Sequence, residues 1–398
     1  MSKGQTTIGF TGDLAFCDYF ADGYKRTDIL DADVKAFMDS CDYNVINVES
    51  TITPCRFKSA KGKGKRCGFE ALDFFNREIK SPILSFANNR VMDYSRIGTV
   101  DTIEGCKAAG IPCIGIGMDI FKACDFALVG EDVKVAVLAI GYHKRLRASK
   151  GNGGPLFEGS TGVIRETIEK MRDVADLVVI YYHGGDRYTK MPMPYTRHKL
   201  KKYLKLGADV VIATHPHIVQ GYEMVGDKAI FYSLGDFIID NDTLREVEGT
   251  EEGMLLKLVA TKTGFTFESK AVHLNREKET IENGTAVMNR ISETEYRKSW
   301  PAEAGTLLHD REERYAKRQN NRELFQAEKE KEREIVQAIQ LEAEGKIDEA
   351  LLVDETEKKE SFNKKFKRFT DKYFGDKEGK MQRAVLMTGT LMEKYLKK

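Results

Sequence analysis

The amino-acid sequence predicts an α/β protein followed by a charged α-helical extension. Strand-like apolar runs alternate with amphipathic helical stretches over the first ~240 residues. Alternation of this kind is typical of α/β folds, in which polar loops collect at the strand ends. Charged residues of both signs are interleaved from about Ser292 onward. We therefore expect two domains, residues 1–284 and residues 285–398.

The individual elements follow from the spacing of apolar residues. The predicted strands are Thr7–Phe10, Tyr43–Val48, Ile83–Ala87, Ile111–Ile116, Val133–Ile140, Leu177–Tyr182, Val210–Ala213, Ala229–Ser233, Gly253–Ala260 and Gly264–Leu274. Helical spacing predicts helices over Ser95–Ala109, Ser160–Ala175 and Pro194–Leu206. The turn-like segment Thr261–Gly264 separates the last two strands and indicates a hairpin.

The region after residue 284 has a helical and highly charged pattern. Helical spacing covers Asp310–Glu344 and Ser361–Phe374. In the second stretch, aromatic side chains recur at steps of three and four, namely Phe362, Phe366, Phe369 and Tyr373. Such a stripe is typical of a helix that packs on its own core domain. It is also compatible with a homodimer or with docking of a protein partner.

Composition excludes several classes of protein. The chain has 398 residues and a net charge of +1, from 63 basic and 62 acidic side chains. This balance argues against a nucleic-acid coat protein, so no nucleic-acid partner is expected. The sequence lacks a window of about 18 apolar residues and a signal-peptide pattern, so no transmembrane segment is expected. The seven cysteines include no Cys-x-x-Cys pair and are expected to be reduced, which favours a cytoplasmic location.

Side chains suited to metal binding follow the predicted strands. They are Asp13, Glu49, Asn89, His183, His215 and His217. Because the carboxyl ends of the strands in an open α/β sheet form a shared crevice, we expect these side chains to meet there. Carboxylate, amide and imidazole ligands together are typical of a dinuclear site for divalent ions. Taken singly, a Gly-Asp pair after a strand is more typical of a turn, and a lone histidine is more often a hydrogen-bonded structural residue than a metal ligand.

Six short motifs occur in a fixed order over roughly residues 5–275. They read Gly12-Asp13, Asn47-Val48-Glu49, Ala87-Asn88-Asn89-Arg90-Val91-Met92-Asp93, His183-Gly184-Gly185, Gly207-Ala208-Asp209-Val210-Val211-Ile212-Ala213-Thr214-His215-Pro216-His217 and Tyr232-Ser233-Leu234-Gly235-Asp236-Phe237. In this order they resemble the motifs of the CapA family of capsule and poly-γ-glutamate biosynthesis. That family belongs to the calcineurin-like metallophosphatase superfamily. The last two motifs are the most specific.

The resemblance implies a four-layer α/β/β/α metallophosphatase-like sandwich that holds two divalent metal ions (Mn, Fe or Zn). By position in the motifs it assigns Asp13 and His217 to one ion, Asn89, His183 and His215 to the other, and Glu49 to the bridging position. A water held between the ions would have its pKa lowered toward ~7. The implied reaction is hydrolysis of a phosphate or amide bond in an anionic small-molecule, polyglutamate or peptide substrate.

Two of the departures from the family motifs bear on the chemistry of the site. Arg90 stands where the family has a histidine that is taken to protonate the leaving group or to stabilise its charge. Arginine stays protonated at accessible pH, so it cannot shuttle a proton, but it can hold a phosphate or carboxylate. Asp236 replaces the asparagine of the last motif. Ordinary phosphatase chemistry is therefore in question, and we take Arg90, Asp93 and His143 as candidate catalytic residues.

A basic segment that contains glycine follows Glu49. Its cationic residues are Arg56, Lys58, Lys61, Lys63, Lys65 and Arg66. One interpretation is a mobile flap that attracts an anionic substrate. A solvated surface loop is equally typical of such a run. The expected substrate contacts are Asn88, Tyr188, Lys61, Lys63, Lys65 and Arg66.

Three functions remain open from the sequence. The family resemblance favours a metal-dependent hydrolase. A second possibility is a peptide epimerase, in which the ions polarise a carbonyl while a base removes the Cα proton. This reaction has no leaving group and suits a site in which arginine replaces histidine. The third is a non-catalytic metal- or anion-binding scaffold in a biosynthetic assembly.

Overall fold

The computed structural model describes residues 4–56, 64–142, 147–301 and 303. Its strands are β1 (Thr6–Asp18), β2 (Tyr43–Val48), β3 (Thr51–Ile52), β4 (Arg66–Cys67), β5 (Pro82–Ser85), β6 (Cys113–Ile114), β7 (Ile116–Gly117), β8 (Ala127–Val129), β9 (Val135–Gly141), β10 (Gly154–Pro155), β11 (Leu177–His183), β12 (Val210–Thr214), β13 (Tyr222–Val225), β14 (Lys228–Phe231), β15 (Asp236–Asp240), β16 (Glu252–Thr261), β17 (Gly264–Asn275) and β18 (Thr280–Asn283). Its α-helices are α1 (Ala32–Asp39), α2 (Ala71–Glu78), α3 (Ser95–Ala108), α4 (Ile120–Ala123), α5 (Thr161–Val174), α6 (Pro194–Lys205) and α7 (Asp242–Arg245). Residues 293–301 are also helical.

Two sheets form the centre of the fold. The first has the strand order β18-β17-β16-β1-β2-β5-β6, and β15 also pairs with β1. The second has the order β13-β14-β12-β11-β9-β8. Strands β1, β2, β5 and β6 run parallel, as do β9, β11, β12 and β14. Each sheet therefore presents the carboxyl ends of several strands at one edge.

The alternation of side chains along β11 explains why the two sheets pack face to face. Val178 and Ile180 lie in an outer core with the apolar faces of α5 and α6. Val179 and Tyr181 point to the opposite face and lie in the central core with Phe10 of β1. A parallel strand that is buried on both faces needs a continuous apolar run, which this segment supplies. Each fully buried aliphatic side chain contributes about 1.5–3 kcal/mol.

The outer face of the first sheet is covered by α1, α2 and α3. Met38, Phe75 and Cys106 from these helices lie in one buried cluster with Ile46 of β2 and Leu84 of β5. The layers are therefore helices, first sheet, second sheet and helices. The predicted α/β/β/α sandwich is confirmed.

Most predicted elements occur, and two differ for identifiable reasons. β1 does not end at Phe10, because a shift in its register with β2 between Phe10 and Asp13 lets the strand continue to Asp18 and pair with β15. The predicted strand Ile111–Ile116 is broken into two short strands. Gly115 lies between them with a φ of +73°, a conformation that interrupts an extended chain.

The chain divides into two units. Met1–Thr53 with Gly64–Asp310 forms the first, which contains the two sheets, and Pro54–Lys63 with Arg311–Lys398 forms the second. The predicted helices Asp310–Glu344 and Ser361–Phe374, with the aromatic stripe, lie outside the described residues. The domain boundary at residue 284, the docking role and the cytoplasmic location stay predictions. Among the described helices, none is long and apolar enough to cross a bilayer.

Candidate metal centre

The six side chains predicted to bind metal lie together at the carboxyl ends of strands from both sheets. Asp13 lies in β1, Glu49 follows β2, Asn89 follows β5, His183 ends β11, and His215 and His217 follow β12. Asn89 is partly exposed, and the other five are buried. The expected convergence is therefore present, while the role of these side chains as metal ligands stays a prediction.

His183 contacts three of the other predicted ligands. Its Nε2 lies 2.8 Å from Asn89 Oδ1 and 3.9 Å from Glu49 Oε1. Its Nδ1 lies 3.3 Å from Asp13 Oδ1. Residues from four different strands of the two sheets thus meet around one imidazole.

The His-Pro-His segment is held in a strained backbone conformation. The φ angles of His215 and His217 are 101° and 61°, in the left-handed region that costs a non-glycine residue of order 1–3 kcal/mol. The backbone N–H of His215 donates to Asp13 Oδ2 at 3.0 Å. The ring centroids of His215 and His217 lie 5.8 Å apart, and that of His215 lies 4.7 Å from that of His183. Strain that the surrounding structure maintains in this way is typical of functional sites.

Several buried polar atoms of the cluster suit a cation. Within the described residues, Glu49 Oε2, His215 Nδ1 and Asp236 Oδ2 are buried and have no hydrogen-bond partner. Glu49, His215 and His217 offer ligand atoms within 4.8 Å of one another, and so do Asp13, His217 and Asp236. Because unpaired buried polar atoms cost free energy, a divalent ion that meets them would be stabilising. The donor set therefore fits divalent metal ions.

Glu49 lies between two cationic side chains. Lys65 Nζ is 3.6 Å from Glu49 Oε2, and Arg90 Nε is 3.6 Å from Glu49 Oε1. Burial would raise the pKa of Glu49, but the positive charges of Lys65, His217, His183 and Arg90 outweigh it and hold the pKa well below its ordinary value. Glu49 is therefore a carboxylate at neutral pH.

The protonation of the two histidines after β12 differs because their neighbours differ. Burial, followed by the charges of His183 and His217, lowers the pKa of His215 well below its ordinary value, so its imidazole is neutral. Burial would also lower the pKa of His217, but Asp236 outweighs it, and the pKa of His217 is raised. Burial raises the pKa of Asp236 to about 7, although the neighbouring His217 lowers it. A neutral imidazole is the form that binds a metal ion.

Arg90 and Asp93 form a second charged pair beside Glu49. Arg90 Nη1 lies 3.4 Å from Asp93 Oδ2, which also accepts a hydrogen bond from the backbone N–H of Lys65. Burial would lower the pKa of Arg90, but the carboxylates of Glu49 and Asp93 outweigh it, and the pKa is raised. The guanidinium is therefore a permanent cation and not a proton donor.

The residues predicted to contact substrate divide into four groups. Asn88 is buried, and its side-chain amide group forms hydrogen bonds with Asn47 and with the backbone of residues 48, 90 and 91. It therefore fixes the loop after β5. The Tyr188 ring centroid lies 6.1 Å from that of His217, and Lys65 lies at Glu49. The Arg66 guanidinium lies 5.7 Å from the centroid of the Tyr94 ring. Lys61, Lys63 and the candidate catalytic residue His143 lie outside the described residues.

Asn47, Tyr142 and Asp236 lie in the site, although none of them was predicted to bind metal or substrate. Asn47 Nδ2 donates to Asp13 Oδ1 at 2.7 Å and lies 3.0 Å from His183 Nδ1. The Tyr142 ring centroid lies 4.6 Å from that of His215. Asn47 precedes Glu49 by two residues near the end of a strand, and Tyr142 follows β9 directly. The positions of Asn47 and Tyr142 at strand ends are the sequence signal that could have identified them as site residues.

Comparison with known proteins gives both a family and individual relatives. The family described as "Bacterial capsule synthesis protein PGA_cap" matches residues 7–241. "Capsule biosynthesis protein CapA" of Bacillus anthracis is 28% identical over 254 residues, 61% of each chain. "PGA biosynthesis protein CapA" of Bacillus subtilis is 24% identical over 245 residues, 59% of this chain and 63% of that one. The matches thus span less than two thirds of these relatives. Among solved structures, the 5'-nucleotidase of Candida albicans is 8% identical with a TM-score of 0.38, covering 70% of this chain and 54% of that one.

Proposed function

The chain belongs to the bacterial capsule synthesis protein PGA_cap family, and we propose that it is a metal-dependent hydrolase. Its substrate would be an anionic molecule of the capsule or polyglutamate type, cleaved at a phosphate or amide bond. The observation that carries this proposal is the meeting of acidic, amide and imidazole side chains from both sheets beside two cations. The names of the relatives from Bacillus anthracis and Bacillus subtilis support the biosynthetic context.

The metal ions would be held by residues already gathered at the strand ends. They are Asp13 and His217 for one ion, Asn89, His183 and His215 for the other, and Glu49 for both. Divalent ions supply Lewis-acid chemistry toward a carbonyl or phosphoryl oxygen. The orphaned buried atoms of Glu49 and His215 support metal binding by this cluster.

Arg90 and Lys65 would bind the anionic group of the substrate. Each lies 3.6 Å from one oxygen of Glu49, which is longer than a hydrogen bond. Arg90 Nε is buried and has no hydrogen-bond partner. A guanidinium matches the oxygens of a carboxylate or phosphate with two parallel hydrogen bonds. The carboxylate of Asp93, 3.4 Å from Arg90 Nη1, would orient that grip.

A second candidate function is epimerisation at Cα of a peptide. The observation that favours it is Arg90 itself, because a hydrolase has to protonate its leaving group and a guanidinium cannot. Epimerisation moves one proton off and back onto the same carbon. The same residues would then bind the peptide and hold its carboxylate. A non-catalytic scaffold of a biosynthetic assembly would use the anion-binding residues alone.

The test uses the full chain loaded with Mn²⁺, Fe²⁺ or Zn²⁺ and offered p-nitrophenyl phosphate esters and a γ-glutamyl peptide. We expect hydrolysis that falls by 100-fold or more in Glu49→Ala and His217→Ala, because even outer-shell changes typically cost ~10–100-fold. His198→Ala, on the exposed side of α6, is the matched control and should keep full activity. Incorporation of deuterium from heavy water into the peptide without cleavage would favour the epimerase. A chain that binds metal ions but catalyses neither hydrolysis nor epimerisation would contradict both proposed activities.

A further inference from the structure

We propose that Asp236 is a positioning residue of the metal centre: its carboxyl group lies beside Asp13 and orients His217. This inference rests on the metal centre of the proposed function. It concerns a position at which the chain departs from the family motifs. The asparagine of those motifs is replaced by an ionisable carboxyl group.

The backbone places Asp236 next to Asp13. The two residues are register partners in the parallel pair of β1 and β15. A Cβ atom on Gly12 would lie 2.3 Å from the carbonyl oxygen of Gly235, and one on Gly253 would lie 1.7 Å from that of Asp236. These contacts are closer than any real Cβ makes, so three segments approach through glycine positions. The backbone of Asp236 is thereby fixed on both sides.

The side chain of Asp236 points at His217. It is fully buried, and its Oδ1 lies 2.8 Å from His217 Nδ1. When Nδ1–H donates to this carboxylate, Nε2 of His217 keeps its lone pair for a metal ion. Asp236 Oδ2 is left without a hydrogen-bond partner, and ligand atoms of Asp13, His217 and Asp236 lie within 4.8 Å of one another. An imidazole held by a carboxylate is a stronger metal ligand than a free one.

Two departures from the family motifs lie in this cluster. Arg90 brings a permanent positive charge to within 3.6 Å of Glu49 and so opposes the binding of cations there. Asp236 brings a second carboxyl group to the Asp13 side of the same cluster, where a divalent ion could meet it.

The test is calorimetric titration of the chelator-treated full chain with Mn²⁺ alone. Asp236→Asn keeps an oxygen that can accept from His217 but removes the charge, and we expect its Kd for Mn²⁺ to rise about 10–100-fold. Asp236→Ala should raise it at least as much. Asp240→Asn is the matched control, because Asp240 is a buried carboxylate on the same strand that pairs with Arg245 and Arg276. Its Kd should stay within about twofold of the wild-type value.

The melting temperature of each variant in EDTA separates positioning from a merely structural role. Asp236→Asn should melt within a few degrees of the wild type while its Kd rises. An unchanged Kd in both Asp236 variants, or an equal rise in Asp240→Asn, would overturn the inference. A further outcome separates the two claims. If the wild-type chain binds Mn²⁺ and Asp236→Asn weakens that binding, but the chain catalyses neither reaction, the proposed function is overturned and this inference stands.

Discussion

Arg90 combines a permanent charge with a position beside the carboxylate of Glu49. The structure holds its Nε 3.6 Å from Glu49 and its Nη1 3.4 Å from Asp93. Both carboxylates raise its pKa, so the side chain stays charged and transfers no proton. The chemistry of the site therefore depends on the presence of arginine where the family motif has histidine.

Replacing Arg90 by histidine tests this directly. We expect Arg90→His to gain hydrolysis of phenyl phosphate by on the order of 100-fold, because its basic phenolate leaving group needs a proton and a positioned general acid typically contributes about that much. Arg90→Lys keeps the positive charge and, because an ammonium group is a much weaker acid than an imidazolium, serves as the control. Initial rates in saturating Mn²⁺ give the answer. No gain in a variant that still binds Mn²⁺ would mean that the missing proton donor does not limit phosphatase activity.

The predicted ligands could be found from sequence because each follows a predicted strand, and strand ends share one edge of a sheet. Asn47 was not predicted to join the site, although it lies two residues before Glu49. Asn88 was expected to face substrate, yet its buried amide group bonds Asn47 and the loop backbone. Side-chain direction depends on how the loop after β5 folds back, and residue spacing does not encode it.

At the scale of elements, Arg197 of α6 joins three segments. It pairs with Glu223 of β13 at 2.9 Å and with Glu293 at 2.6 Å, and its guanidinium lies 4.2 Å from the centroid of the Tyr296 ring. Glu223 also accepts from Tyr232 and lies 2.6 Å from Lys201. Arg197 thus links the helix at residues 293–301 to β13 of the second sheet.

Removing Arg197 should destabilise the domain without touching the candidate metal centre. We expect Arg197→Met to lower the free energy of unfolding by roughly 1–3 kcal/mol, because charge-assisted hydrogen bonds to Glu223 are lost. Arg165→Met, exposed on α5, should change it by less than about 0.5 kcal/mol. Urea unfolding of the chelator-treated chain measures both. Equal effects in the two variants would show that the junction contributes no stability.

The same junction predicts a pH dependence. Burial would raise the pKa of Glu223, but hydrogen bonds from Arg197 and Lys201 outweigh it, and the pKa lies below its ordinary value. A lowered carboxyl pKa contributes stability above the unfolded pKa that is lost as the pH falls through the folded pKa. Glu223→Gln should therefore melt below the wild type at pH 7, and the gap should close under acid conditions. A difference in melting temperature between Glu223→Gln and the wild type that stays constant from neutral to acid pH would contradict this prediction. Glu166→Gln on α5 is the control.

The positions of most elements followed from periodicity, but three features of the fold did not. The register shift after Phe10 that carries β1 on to Asp18, and the break at Gly115, depend on tertiary pairing. β15 was seen only as part of a motif, because Asp236–Asp240 mixes acidic and apolar residues and its partner β1 lies more than 200 residues away. Local pattern does not report such long-range pairing.

For the molecule as a whole, the sequence predicted the four layers through the family resemblance and not through spacing alone. Strands such as β9 and β11 are apolar on both faces, so periodicity does not say which sheet each one joins. The central core between the sheets brings the strand ends of both to one place. The cluster around His183 exists only because β1, β2 and β5 meet β11 and β12 there.

The central claim is that this shared edge binds divalent metal ions. Calorimetric titration of the chelator-treated full chain with Mn²⁺, combined with metal analysis of the gently purified protein, tests it most directly. We expect about two ions per chain, as in dinuclear sites of this ligand type, and loss of binding in Glu49→Ala but not in His198→Ala. A wild-type chain that takes up no Mn²⁺, Fe²⁺ or Zn²⁺, or a Glu49→Ala variant that binds as tightly as the wild type, would contradict it.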